Sequence, residues 1–419
     1  MSPLIRLISP LVFALIAPAL YANQKLRRGW AQRLGRHADG FDEVARPRIW
    51  LHGASAGDLM ALQPVIHALR AQRPELGIVV SSMTESGQEM AKARLTGIDR
   101  LIYVPWDVPF AVRGALRAVR PDVLVLEYTE LWPNLIHEAS ASGVRLVLTN
   151  GRIGARNLRG YRRLFWVLGN PLKRFDRLLM RSRAEADRAT ELGASPFALR
   201  ITGNTKYDNL EAPSEERVEA LRSALQRAPE RLLWVCGSTH EGEEADLIQV
   251  YKELTVRHRQ LDLLIAPRYV ERAERVAELA RSAGLSVAFR SQHQGAPGGV
   301  TILDRIGELM PAYALADVVF VGGSFIERGG QNILEPAACG KPVLFGPHME
   351  NFVDEVGLLV GRGGIQVGDR SALLETIDQL LYRAGACAEV GALARESVTA
   401  RAGAGQACAR HILALVESP

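Results

Sequence analysis

Short apolar runs alternate with helix-period segments along almost the whole chain, and this alternation leaves few folds open to it. Runs at 49–52, 78–82, 123–126 and 146–149 read as strands, each followed by a helical pattern such as Leu59, Leu62, Val65, Ile66 and Leu69. A second series begins at Leu232 with LLWVCGS and continues through LDLLIAP, GVTILD, DVVFVGG and KPVLFGP. Strands that are continuously apolar are covered on both faces, as in a parallel sheet wrapped by helices. The 419 residues, 47% of them hydrophobic, suffice for two such cores. The reading is therefore α/β, with two Rossmann-like domains facing across a cleft. The boundary falls within 204–213, giving a first domain at 31–207 and a second at 208–419. Ligands are expected beyond the carboxyl ends of the strands.

The stretch 320–351 narrows the ligand. It runs from an apolar strand into paired glycines, passes a second glycine pair, enters a helix carrying Glu335 and leaves through a strand into Gly346-Pro347. Glycines let backbone N–H groups approach a phosphate, and a helix start adds its positive dipole. A nucleotide is expected there. The net charge of +5 is modest, and no basic run is interleaved with aromatics, which excludes a nucleic-acid polymer as partner. Cys236, Cys339, Cys387 and Cys408 show no zinc-site spacing and read as reduced core residues of a cytosolic domain.

The first thirty residues stand apart. An apolar run from Leu7 to Ala22, interrupted by Pro10 and Pro18, is followed by Lys25, Arg27, Arg28, Arg33 and Arg36. It is short for a span of about 20 residues. A retained anchor over 1–30, a cleaved signal peptide and a soluble core helix compete; the basic flank favours an anchor with the body on the cytoplasmic face of the inner membrane. Nothing in the α/β pattern offers the run an obvious packing partner. Between Arg152 and Arg183 lie ten basic residues and one acid, Asp176, with Leu164, Phe165 and Trp166 among them. Such a region suits an anionic membrane surface or a phosphorylated glycolipid, or else is a solvated helix face.

Seven segments in order resemble one family: IWLHGASAGD (49–58), TELWPN (129–134), NGRIGAR (150–156), GSTHEGEE (237–244), PRYVER (267–272), IGEL (306–309) and GGSFIERGGQNILEPAA (322–338). The family is the 3-deoxy-D-manno-octulosonic acid (Kdo) transferases of lipopolysaccharide synthesis. The resemblance implies the glycosyltransferase B fold, a CMP-Kdo donor held by the second domain, and a lipid A precursor of the lipid IVA type as acceptor. It also implies inverting transfer with neither cofactor nor metal ion.

Inverting transfer to a hydroxyl needs a carboxylate that takes the acceptor proton, and Asp58, in a loop that opens a helix, suits that base. An Asp at a helix start is equally an ordinary cap. The family carries Glu in this S-x-G-E pattern, where the chain reads Ser55-Ala56-Gly57-Asp58. Tyr128 likewise replaces the first glutamate of E-T-E-L-W-P-N, while Glu130 is kept as an orienting or catalytic carboxylate or a turn residue, with Glu127 beside it as a fallback for the base. The resemblance puts Ser55, Gly57 and Arg152 on the acceptor side. On the donor side Arg268 offers a planar fork to phosphate or carboxylate. Ile306, Gly307 and Glu308 precede a helix whose free N–H groups can meet phosphate or base, and Glu335 can accept both ribose hydroxyls. Asn332 reads as cap or ligand. Tyr269, Gln331 and Ile333 depart from the family's PRHPER and GGHNPLE, which leaves another nucleotide sugar, or a non-transferring enzyme of this architecture, as alternatives.

Overall fold

The computed structural model describes residues 3–417 except 38–39, 211, 229 and 293–294. It divides into two compact units, Met1–Asn209 with Arg401–Pro419, and Leu210–Ala400.

The first unit is built on a seven-stranded, all-parallel sheet. Its strands are β1 (Arg48–His52), β2 (Gly77–Ser82), β3 (Arg100–Tyr103), β4 (Val123–Glu127), β5 (Arg145–Gly151), β6 (Arg177–Met180) and β7 (Leu199–Ile201), in the order β3-β2-β1-β4-β5-β6-β7. β1, β2 and β4 are buried at every position, which is why they read as unbroken apolar runs. Neighbouring residues of β1 feed different cores: Trp50 joins Leu124, Leu126 and Ile136, whereas Ile49 and Leu51 join Leu59, Leu62 and Ile66 of the Ala56–Gln72 helix.

The second unit repeats the plan with β8 (Leu232–Thr239), β9 (Leu261–Pro267), β10 (Val287–Phe289), β11 (Val300–Ile302), β12 (Val318–Val321), β13 (Val343–Phe345) and β14 (Gly364–Gln366), ordered β10-β11-β9-β8-β12-β13-β14. In both sheets the order reverses beside the first strand, between β1 and β4 and between β8 and β12. Those reversals are where open α/β sheets leave a crevice for ligands.

Two expectations are corrected. The break falls at Asn209/Leu210, but the second unit ends at Ala400 and not at 419. The last helix, Ala404–Val416, returns to the first unit, where Cys408 and Ile412 share a core with Leu59 and Leu62. Asp208 fixes its start, accepting from the N–H groups of Gly403 (2.6 Å) and Gly405 (2.5 Å). All four thiols are free; Cys236 and Cys408 are buried, Cys339 and Cys387 only partly so.

The N-terminal run does find a partner. The Pro3–Ala22 helix sets Phe13 against Trp30, Trp106 and Phe110, with ring centroids 6.4, 6.1 and 6.0 Å away. Among the described residues no helix is long and apolar enough to cross a membrane. Instead Ile8, Leu11, Val12, Leu15 and Ile16 are exposed, Leu15 by 82%. Their spacing of three and four residues places them on a single helix face.

Candidate functional site

In the first unit the chemistry gathers after β1 and β4. Asp58 sits in the first turn of the Ala56–Gln72 helix as half of a capping box: the Ser55 N–H donates to Asp58 Oδ2 at 2.8 Å, and the Asp58 N–H donates to Ser55 Oγ at 3.4 Å. The capping reading is thus realised. It occupies one carboxylate oxygen, and Asp58 remains partly exposed. Ser55 and Gly57 are exposed beside it.

Glu130 accepts from the Trp132 indole N–H at 2.7 Å, and burial raises its carboxyl above the ordinary range. Its Oε2 lies 4.0 Å from His52 Nε2. His52 is fully buried, and desolvation pushes its pKa down to about 4, so the ring is neutral. Nδ1 faces the Ser81 carbonyl at 3.2 Å. Ser81 Oγ stands closer still, 3.0 Å from Nδ1, and can donate as well as accept, so both tautomers fit; Nε2 has no hydrogen-bond partner and faces Glu130. Arg152 is exposed on the next loop, where its carbonyl accepts from Thr129 Oγ1 at 3.2 Å.

Glu127, set aside in the sequence as a secondary candidate, is the most perturbed carboxyl here. It is completely buried at the end of β4, and desolvation raises it to about 8 despite hydrogen bonds from Thr149 Oγ1 and Asn150 Nδ2, each at 2.5 Å. Asn150 continues the network: Nδ2 also donates to Thr205 Oγ1 at 2.6 Å, and Thr205 Oγ1 donates to the Ala61 carbonyl at 2.6 Å, one turn beyond Asp58. Tyr128 and Asn150 flank the network with left-handed backbones, φ +53° and +49°. Strain of this kind concentrates where structure is held for a task. The Asp58 charge bears on His52, Glu127, Tyr128 and Glu130 alike, so these groups share one electrostatic neighbourhood.

In the second unit the ends of β8 and β12 are tied by a residue that sequence reasoning passed over. Glu243 is fully buried and accepts from the backbone N–H groups of Gly323 (2.7 Å), His240 (2.9 Å) and Phe325 (3.4 Å). A Cβ on Gly322 would stand 2.5 Å from its Oε1, so only glycine fits. Next to it Ser238 takes φ +56° where the β8–β9 register shifts, and Gly237 lies against the buried Tyr313 hydroxyl. The signal was available: Glu243 is the second acid of the GSTHEGEE segment. The third acid, Glu244, holds Arg272 at 2.6 Å and 3.0 Å.

Arg268 is exposed after β9, its guanidinium 5.6 Å from the Tyr269 ring. Its charge, with those of Arg328 and Arg272, adds to burial in lowering His240. This glycine-lined end of the sheet is cationic. Asn332 is a cap as well as a neighbour of the candidate ligand residue: its Oδ1 accepts from the Leu334 N–H at 3.0 Å, and its Nδ2 donates to Glu335 Oε1 at 3.1 Å. Glu335 is the second residue of the Leu334–Ala338 helix, not one turn in, and burial raises its carboxyl. Glu308 starts the Leu309–Leu315 helix and is held by the buried Arg290 (Nε to Oε2, 2.9 Å). Gly307, at φ +93°, accepts from Arg217 through its carbonyl, and Ile306 is 88% exposed. No hydrogen bond joins this trio to Arg268 or Glu335 among the described residues. Nor does any cluster of three His, Cys, Asp or Glu able to hold a metal occur among them.

The model of the family described as 3-Deoxy-D-manno-octulosonic-acid transferase (kdotransferase) matches residues 28–209. The 3-deoxy-D-manno-octulosonic acid transferase of Bordetella pertussis is 32% identical over 405 residues, covering 90% of this chain and 92% of its own. That of Haemophilus influenzae is 30% identical over 377 residues, 89% of this chain and 87% of its own. A crystal structure of a glycosyltransferase from Rickettsia africae aligns with a TM-score of 0.55 at 13% identity, covering 88% of this chain and 97% of that one, and shows the same fold. With this identity sustained over most of both chains, and with the two switch-point sites in place, the protein belongs to the 3-deoxy-D-manno-octulosonic acid transferase family and is a glycosyltransferase.

Proposed function

We propose that the protein transfers Kdo from CMP-Kdo to a hydroxyl of a lipid A precursor in lipopolysaccharide synthesis, with inversion and without a metal ion, at the cytoplasmic face of the inner membrane. The observation that carries this reading is the division of chemistry between the units: carboxyls and a neutral imidazole at the β1/β4 ends, a glycine and arginine cradle at the β8/β12 ends.

In this mechanism Asp58 keeps Oδ2 on the Ser55 N–H, and Oδ1 takes the proton of the acceptor hydroxyl. The acceptor oxygen bonds to the anomeric carbon of Kdo as the bond from that carbon to the CMP phosphate oxygen breaks, and CMP leaves with the electron pair. Glu130, beside the neutral His52 ring, orients the acceptor hydroxyl, and Ser55, Gly57 and Arg152 line the acceptor side. Arg268 faces the donor's anionic groups, with Glu335 and Asn332 on the ribose and Ile306, Gly307 and Glu308 toward the base. The exposed row from Ile8 to Ile16 is an apolar face for a lipid surface, and its amphipathic pattern supports a helix lying on the membrane. The basic helix Leu158–Leu168, with Trp166 88% exposed, supports the same reading.

The test is incubation of the protein in membranes with CMP-Kdo and a tetraacylated, bisphosphorylated lipid A precursor, followed by mass analysis. Addition of one or two Kdo masses is expected. No added mass, with another sugar transferred from its own nucleotide, would favour the diverged-donor alternative that Tyr269 and Gln331 keep open.

A further inference from the structure

A second basic site lies in the first unit, apart from every residue assigned above. A cavity of about 670 Å³ opens beside β3, between the segment after the Trp30–Arg33 helix and the Pro109–Val119 helix. Arg36, Arg100 and Arg117 line it together with His37 and Phe41, and among the described residues no carboxylate does. Arg36 and Arg117 form no ion pair among the described residues. His37 Nε2 is buried without a hydrogen-bond partner, and burial keeps the ring neutral. The wall is preformed: a Cβ on Gly35 would stand 2.1 Å from the Ala111 carbonyl oxygen, so helix and loop backbones meet with no room to close further.

The Pro109–Val119 helix connects this cavity to the apolar N-terminal helix. Phe110, Gly114, Arg117 and Ala118 are spaced by three and four residues and share one face. Phe110, 45% exposed, meets Phe13 of the Pro3–Ala22 helix at 6.0 Å, and the other three line the cavity. Over about 12 Å this face passes from an apolar surface to a cluster of cations. We infer that the cavity is a head-group site for an anionic glycerophospholipid, the phosphate held by Arg36, Arg117 and Arg100 while the acyl chains run toward the exposed row of the N-terminal helix. Charge complementarity selects this occupant: an anionic head and an apolar tail on one molecule match the two ends of one helix face. The inference rests on the membrane reading proposed above and adds a discrete site to it.

Flotation of the full chain with phosphatidylcholine vesicles, with and without phosphatidylglycerol, tests it. The Arg36→Gln/Arg117→Gln pair should lower affinity for the anionic vesicles by about thirtyfold, the scale for two basic residues at an anionic surface. Ala118→Glu, which keeps every arginine and adds a carboxylate, should lower it by about fivefold. Lys92→Gln/Arg94→Gln removes the same charge from exposed positions elsewhere in the unit and should change it little. Equal loss in the two double variants would overturn the site in favour of diffuse attraction. So would release of the wild type by millimolar inorganic phosphate at constant ionic strength, which would make free phosphate the ligand. Leu11→Ser/Leu15→Ser separates the two readings: unchanged binding to both vesicle types in that variant would sink the membrane reading itself, whereas failure of the arginine variants alone sinks only the head-group site.

Discussion

The two switch points are built from opposite materials. At the β1/β4 ends of the first unit the polar groups are carboxyls and an imidazole, and burial pushes Glu127, Glu130 and His52 toward their neutral forms, Glu127 to about 8 and His52 to about 4. At the β8/β12 ends of the second, glycine backbone and arginines prevail, and the buried carboxylate there, Glu243, spends its oxygens on backbone N–H groups. The first is a place to move protons, and the second a place to hold an anion. A transferase needs both, and the difference teaches that one doubly wound plan was specialised twice by what its loops carry.

The comparison can be broken most forcefully at Glu243. Glu243→Ala strands three backbone donors in a buried setting, at about 1 to 3 kcal/mol each, so a stability loss of at least about 3 kcal/mol is expected by denaturant unfolding, along with loss of CMP binding. Near-native stability and binding would show that the loop is held by other means. Next in size is Asp58. Asp58→Asn should cut turnover by about a hundredfold while leaving CMP affinity and the melting temperature nearly unchanged, because Asn caps almost as well as Asp but cannot take a proton. Asp58→Glu should retain or raise activity. Turnover that survives Asp58→Asn would leave a cap only and move the base to Glu130 or Glu127.

Glu335→Ala should weaken CMP binding by roughly 1 to 3 kcal/mol in calorimetry with the fold intact; unchanged affinity would displace the ribose from the place assigned to it. The smallest effect per step is a slope with pH. Glu127 has its pKa raised in the folded state, so its contribution to stability is fully present below about pH 4.5 and is lost as the pH rises through about 8. Over that window the wild type should lose about 1 kcal/mol per pH unit relative to Glu127→Gln. Parallel stability curves for the two proteins would mean that Glu127 is ionised in place.

Much of the fold could be read from the chain because buried parallel strands announce themselves: β1, β2, β4 and β5, and β8, β9, β11, β12 and β13 in the second series, are apolar almost throughout. The strands that escaped are β3, β6, β7, β10 and β14; β11, β12 and β13 are as short, but β3, β6 and β7 carry an arginine and β14 a glutamine, which breaks the apolar run that the others show. The return of the Ala404–Val416 helix was illegible for another reason. Its pattern is that of any amphipathic helix, and nothing local says which of two cores it covers. At the sites, Asp58, Glu130, Asn332 and Glu335 were legible from motifs and stand at sheet ends. Glu243 was passed over, and Glu127 ranked only as a fallback, because a carboxylate inside a wholly buried strand or loop runs against the ordinary expectation that acids face water. In retrospect the single charge closing the run VLVLE was the clue.

The return of that last helix also fixes an order of events during synthesis. A ribosome delivers the first sheet, then the whole of Leu210–Ala400, and only afterwards the segment with Cys408 and Ile412 that finishes the first core against Leu59 and Leu62. The domain begun first is therefore completed last. Its apolar flank on the Ala56–Gln72 helix waits uncovered while the second domain folds, and a chain ending at Ala400 would carry that flank permanently exposed to chaperones and proteases.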